Sequence, residues 1–441
     1  MMNHNSFLKF FTACFAVCVL AMTAFHAHGD TLSMEPQIKL EQEYTDNILF
    51  VSKDPQKDYI STFSPAFSVK KKSPRFQSDL KVSLDAIYYN DFSELNSVDK
   101  RSSVSLGYQV TERLKLGGSA GYLEDSRSDR EIDETGLIIS GERKRMRGGL
   151  SGQYQLSELT AVDFSSGYIT EEIKSSDSED NDTLTAAISF SRDISKFIPN
   201  TTVLFDISYT NYQSQSPYVR KIGYGDLPDN LIIIIDSQGG QVPTGFLQRV
   251  ESESDYDIWN ISTGFSRQLT ERLSFFLKGG VSCVTSEEAS NLSISAFDTI
   301  LYDYESSFDG GTKWGWLFFG GMGYGGLYDR IDLNLSRDVQ TASGQNGTTE
   351  RSSVGLRYTR KITEKLNTNL SGTCYLNQSD RESRSDIDDL TFSSGAGMSY
   401  NLSKLWRGSL DWNYMRLEER EDDLSRDRNR VYVRIVRNFW Q

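Results

Sequence analysis

Stretch after stretch of this 441-residue chain alternates apolar and polar residues with a period of two. Beyond the N-terminus no long segment is apolar throughout. A two-residue period puts successive side chains on opposite faces of a strand, so each segment reads as a strand with one greasy and one polar face. Tyr59, Phe63, Phe67 and Val69 share a phase with Pro65, against Ser64, Ala66, Ser68 and Lys70. Leu80, Val82, Leu84, Ala86 and Tyr88 oppose Asp79, Lys81, Ser83 and Asp85. The pattern returns at Val104–Val110, Val203–Tyr209, Leu273–Val281, Trp314–Phe318, Val354–Tyr358, Phe392–Leu402 and Leu410–Tyr414. In the last stretch Val431, Val433, Ile435 and Phe439 oppose Tyr432, Arg434, Val436 and Asn438. That stretch alone fits a soluble edge strand as well as the closing strand of a barrel.

The connections decide between them. Val110-Thr111-Glu112-Arg113-Leu114, Leu269-Thr270-Glu271-Arg272-Leu273 and Ile362-Thr363-Glu364-Lys365-Leu366 are one short polar phrase written three times. Leu156-Ser157-Glu158-Leu159 and Leu402-Ser403-Lys404-Leu405 are variants. Each predicts a tight hairpin turn. The opposite connections are long and charged: Ser126–Glu142, Lys174–Asp182, Ser214–Ser254, Glu287–Gly311, Ser379–Asp389 and Glu418–Arg428. Short turns at one end and long polar loops at the other predict an all-β, transmembrane, antiparallel up-and-down barrel with periplasmic turns and extracellular loops. A propeller or solenoid would need a steadier period. The expected count is about eighteen strands, at about 23 mature residues each, from Gln37–Phe50 to Arg430–Trp440. Sixteen is the alternative, because Ile331–Ser336 is short and Gln37–Phe50 alternates weakly.

The N-terminus carries Lys9, an apolar run from Phe10 to Ala24, and Ala27-His28-Gly29. The run is about 15 residues, short of the roughly 20 that span a bilayer as a helix. Residues 1–29 are therefore expected to be a cleaved signal peptide, and 30–441 a single barrel domain of the Gram-negative outer membrane. Of 47 basic and 61 acidic residues only Lys9 leaves with it, so 46 minus 61 gives −15 for the mature chain. That balance argues against nucleic acid as a partner. All three histidines (His4, His26, His28) leave too, which removes His-dependent catalysis, and no Gly-x-Ser-x-Gly motif replaces it. No enzyme, cofactor or metal site is expected. Acidic stretches at Asp177–Asp182 and Glu418–Asp423 lack the spacing of a calcium loop and read as solvated. Cys283 and Cys374 fall on the apolar phase of strands four apart, too far for a disulfide.

Sixteen to eighteen strands enclose a lumen that side chains cannot fill. Its wall is expected to be Ser, Thr, Gly, Asn and Gln, with inward charges at Lys81, Asp85, Arg147, Asp206, Lys278, Asp332, Arg357, Asp411 and Arg434, and further ones at Arg145, Asp163 and Arg407. Such a wall suits a channel for a polar solute, with the charges setting ionic preference. The alternative is a structural or surface-assembly barrel whose loops bind a partner over a closed lumen. Ser214–Ser254, with Leu231–Ile235 amid Pro and Gly, is the candidate plug, and an extracellular hairpin or a partner-binding loop fits the same residues. Trp314, Trp316, Tyr88, Tyr89, Trp412 and Tyr414 are candidates for interfacial girdles.

The opening stretch, Leu40-Glu41-Gln42-Glu43-Tyr44-Thr45-Asp46-Asn47-Ile48-Leu49-Phe50, resembles the first strand of β-barrel porins linked to exopolysaccharide and exosortase (PEP-CTERM) surface systems. Those carry a Tyr-x-Asp-Asn-Ile/Val-Phe phrase; here Leu49 interrupts it. The closing stretch also departs from the usual outer-membrane signal, since Trp440-Gln441 follow Phe439 and Arg437 takes an apolar place. The resemblance implies an outer-membrane barrel and adds an exported polysaccharide to the polar solutes considered; outer-membrane lipid, lipopolysaccharide and the barrel-assembly machinery are the expected partners.

Overall fold

The computed structural model describes residues 31–126, 142–174, 180–222, 246–296, 299–341, 348–379, 388–421 and 423–439. The expected signal peptide therefore lies outside the described residues. Eighteen strands account for most of the chain. They are β1 (Thr31–Thr45), β2 (Asp58–Lys72), β3 (Phe76–Tyr89), β4 (Ser97–Gln109), β5 (Leu114–Asp125) and β6 (Glu142–Ser157). Then come β7 (Thr160–Lys174), β8 (Asp180–Asp193), β9 (Thr201–Ile222), β10 (Phe246–Gln268), β11 (Leu273–Ala296) and β12 (Thr299–Gly325). The last six are β13 (Asp329–Thr341), β14 (Thr348–Lys361), β15 (Leu366–Ser379), β16 (Asp388–Asn401), β17 (Trp406–Glu419) and β18 (Leu424–Asn438). Each pairs antiparallel with its chain neighbours. β18 returns to β1 from Gln37↔Asn438 to Thr45↔Arg430, so the ring has no free edge.

The repeated turns are built alike. Thr111 Oγ1 accepts from the backbone N–H of Arg113 (3.2 Å) and Leu114 (3.0 Å). Thr270 does so from Arg272 and Leu273, and Thr363 from Lys365 and Leu366, at the same two distances. Ser403 accepts from Leu405 and Trp406. A hydroxyl at the first corner satisfies the donors that a tight reversal leaves unpaired.

The surface is inverted relative to a water-soluble sheet. Leu40, Phe63, Phe67, Val82, Leu84, Leu150, Ile188, Phe205, Val354, Leu356, Leu410, Val433 and Ile435 are all exposed, on one phase of their strands. Each such side chain gains about 1.5–3 kcal/mol on leaving water, so this belt demands an apolar surrounding. No helix among the described residues is long and apolar enough to cross a membrane. Trp314, Trp316, Tyr88 and Trp412 are exposed on the outer phase as expected, and Tyr414 packs on Phe392 (6.4 Å between centroids). Tyr89 cannot share the face of Tyr88, its neighbour, because successive strand residues point oppositely. Cys283 and Cys374, on β11 and β15, are free thiols.

Several boundaries differ from expectation. β1 stops at Thr45, and Phe50 takes a positive φ of 50°, so the chain turns away where Asp46–Phe50 was expected to continue the strand. β18 starts earlier, at Leu424, leaving only a short reversal where Glu418–Arg428 was expected to be a long loop. Most of Glu287–Gly311 is a hairpin of β11 and β12, with a register shift at Ser286/Glu287 and a bulge that uses Gly311 at φ 72°. The flanks of Ser214–Ser254 likewise pair, as the upper parts of β9 and β10. These extensions are rich in charged and small polar residues and carry only short apolar runs, buried Ile294 among them, so the long alternation of a membrane strand does not mark them. A membrane strand needs about 9–11 residues, and β9 to β12, with 22, 23, 24 and 27 residues, reach far beyond that.

Candidate functional site: a lumen in two halves

Lys81, Asp85, Arg147, Asp206, Lys278, Asp332, Arg357, Asp411 and Arg434 all fall on the phase opposite the exposed apolar residues. Register brings several together. Asp206 on β9 meets Lys278 on β11 at 2.8 Å, with the Ser262 hydroxyl of the intervening strand at 3.4 Å. Arg434 bonds Asp411 on β17 at 2.8 Å and Glu41 on β1, joining three strands across the closing seam. Asp332 lies opposite Arg357 and takes a two-point contact from Arg330 (2.8 and 3.1 Å). Lys81 reaches Asp79 at 3.5 Å, and Asp85 faces Asp99 in register. Arg147 lies across Gly121, where a Cβ would stand 2.8 Å from its Nε. Arg407 donates to Asn401 (3.0 Å), and Asp163 faces Gln153.

At the turn end this wall opens into a cavity of about 830 Å³. It is lined by Ser266, Ser274, Asn334, Ser353, Ser371 and Thr373, with Arg330, Asp332 and Arg357 among them and Phe276 and Tyr375 as aromatic faces. Phe276 lies flat on β12 because Gly321 is there; a Cβ at that position would meet the ring at 2.3 Å. Small hydroxyl and amide side chains leave room for water and offer both donors and acceptors.

At the loop end the same phase is covered. Among the described residues every strand except β13 has a buried residue on this phase, including Glu43, Ile60, Ile87, Asp99, Asp125, Arg143, Glu171, Tyr212, Ser282, Arg351, Asn377, Thr391, Leu417 and Arg430. Side chains alone do not fill an eighteen-stranded ring, and the described residues include one piece of chain folded over it. Part of the cover is the β1–β2 connection. Phe50, 3% exposed, packs on Met415 and Leu417 of the inner face of β17, with the Arg428 guanidinium 4.8 Å over its ring. Asn47 holds the fold: its amide donates to the Val51 and Asp427 carbonyls (2.8 and 3.0 Å) and its oxygen accepts from the Val51 N–H. Asp46 accepts from the backbone and side chain of Asn429. The Asp46–Phe50 phrase is thus a latch over the mouth. The expected plug falls mostly outside the described residues (223–245).

Some inner charges were not expected from sequence, because they sit at strand ends beside long loops. Arg143 bridges Asp125 (2.9 Å) and Glu171 (3.4 Å), and Glu171 also takes Arg145 (2.9 Å). The signal was present: Arg143-x-Arg145-x-Arg147 and Arg428-x-Arg430 place like charges two apart, on one face.

No family model matches this chain, and no curated protein matches it. Among solved structures it is similar to the outer-membrane channel DcaP of Acinetobacter baumannii, at 14% identity over 94% of this chain and 99% of that one, with a TM-score of 0.43. It is also similar to OpdK of Pseudomonas aeruginosa with vanillate, at 9% identity over 92% and 99%, TM-score 0.44. The siderophore receptor PirA from Acinetobacter baumannii matches at 10% identity over 93% and 81%, TM-score 0.39. Likeness this distant carries nothing about solute or mechanism; the barrel rests on its own strand pairing.

Proposed function

We propose that this chain is an outer-membrane barrel that conducts a polar solute and whose loop-side mouth is capped at rest. The observation that carries it is the division of one inner face: a hydroxyl- and amide-lined cavity at the turn end, and a covered ring at the loop end under Phe50. The exposed apolar belt supports a membrane setting, with lipid and lipopolysaccharide around it and insertion by the assembly machinery. Because Asp206–Lys278, Arg434–Asp411 and Arg330–Asp332 neutralise one another, ionic preference should be weak. A polysaccharide as the solute, moving outward, rests on the resemblance of Tyr44–Phe50 and on a wall suited to hydroxyl-rich chains. The covered ring equally favours a second reading, a structural barrel closed throughout.

Single-channel recording in planar bilayers separates the two. Phe50→Ala with Asn47→Ala removes the buried ring and the hydrogen bonds of the latch. Losing about 3 kcal/mol of such packing shifts a latch equilibrium by more than a hundredfold. The channel reading expects rare, small steps from the wild type and frequent, larger ones from the variant. Silence from both would establish the closed barrel instead.

A further inference from the structure

The wall is not hydrogen-bonded throughout. The β12–β13 ladder has eight pairs, ending at Phe318↔Arg337, although both strands continue toward the loop end. Trp314–Leu317 and Asp338–Gln340 lie beyond it with no ladder pairing between them. What closes the wall there is side-chain contact. A Cβ on Gly315 would stand 3.5 Å from Val339 Cγ2 and 3.7 Å from Glu350 Oε1. Parting other neighbouring strands would leave backbone groups unpaired at several kcal/mol each in hydrocarbon, whereas this seam gives up only packing.

The seam has apolar ground on both sides. Outside it stand Trp314 and Trp316, 72% and 58% exposed, about ten residues above the turn, which is the height of a far membrane interface. Inside, Val339 packs on the cluster of Tyr212, Tyr256, Ile258 and Val284, which face the lumen from β9, β10 and β11. Arg337 marks the rim, held over the Trp316 ring at 4.4 Å and paired with Glu350.

We propose that the β12–β13 seam is a lateral port through which one acyl chain of an outer-leaflet lipid reaches the inner apolar cluster. The occupant follows from continuity: the seam opens on the same apolar belt that faces lipid, so hydrocarbon is the medium at its outer end. The proposal rests on the membrane reading above, and goes beyond it in giving the lumen a second entrance of opposite polarity.

The test uses the full chain in vesicles containing a phospholipid with a photoactivatable acyl chain, and locates adducts by mass spectrometry. In a Cys283→Ser, Cys374→Ser background, adducts are expected on the belt (Leu277, Val281, Trp316) and also on Ile258 or Val284. Adding Gly315→Cys and Val339→Cys and oxidising them locks the seam. Inner adducts should then fall at least tenfold, belt adducts should persist, and reduction should restore the first pattern. If the cysteine pair blocks assembly, Val339→Trp fills the seam and should give the same loss. Belt adducts without inner ones, or inner adducts indifferent to locking, would overturn the port. Absence of belt adducts would overturn the membrane reading and the port with it.

Discussion

Arg434 shows how much one inward charge can hold. Its guanidinium spans from Asp411 to Glu41 and covers the Tyr432 ring at 4.6 Å, tying β17, β18 and β1 where the ring closes. Arg434→Ala leaves two carboxylates facing each other. The cost is expected to be about 1–3 kcal/mol, below that of a fully buried pair because the side chain is 30% exposed. Urea unfolding of the barrel in detergent reads it, and Arg434→Lys should recover about half. Asp180, at the loop-side rim, behaves oppositely. Burial pushes its carboxyl above the ordinary range, against the hydrogen bond it accepts from the Ile173 N–H. The folded chain thus binds that proton more tightly than the unfolded chain. The stabilisation is complete below the unfolded value and is lost as pH rises through the raised folded one. Asp180→Asn should flatten the dependence of the unfolding midpoint on pH above the ordinary aspartate value, raising it at the upper end. The phase of Arg434 was legible from alternation. The raised carboxyl of Asp180 was not, since it depends on the carboxylates of Glu172 and Asp182 brought near it by strand pairing.

At the scale of the element, the hairpin turns were the most legible parts of the sequence, because a local hydroxyl–amide contact makes them. Thr111, Thr270 and Thr363 each accept two backbone donors, which Val at the same size cannot do. Replacing all three with Val should cost about 0.5–1.5 kcal/mol per turn and slow assembly, while Ser should preserve both. Refolding into detergent followed by heat-modifiable gel mobility checks this. Strand boundaries at the loop end were less legible. Membrane-facing segments alternate because their two faces meet lipid and water. Above that height lipid no longer meets one face, so in the upper parts of β9–β12 the period shrinks to short runs such as Leu292-Ser293-Ile294, with Ile294 buried. Asp46–Phe50 misled for the opposite reason. Ile48 and Phe50 extend the apolar phase of Tyr44, yet Phe50 is withdrawn into the mouth.

For the whole molecule, the closed eighteen-strand ring could be anticipated from alternation and lopsided connections. The division of its lumen could not, because the cover over the inner ring joins residues hundreds of positions apart, as Asn47 and Asp427 show. A single lumen, open to water from the turn end and capped from the loop end, is the central claim. Two cysteines test it most directly, each introduced singly in the Cys283→Ser, Cys374→Ser background. Ser353→Cys lies on the turn-side cavity, and Thr391→Cys on the covered ring, where Thr391 is 0% exposed. The measurement is the rate at which a bulky water-soluble maleimide labels each in vesicles. The account predicts ready labelling at 353 and none at 391 until Phe50→Ala is added. Equal rates at the two positions with Phe50 in place, or no labelling at 353, would contradict it.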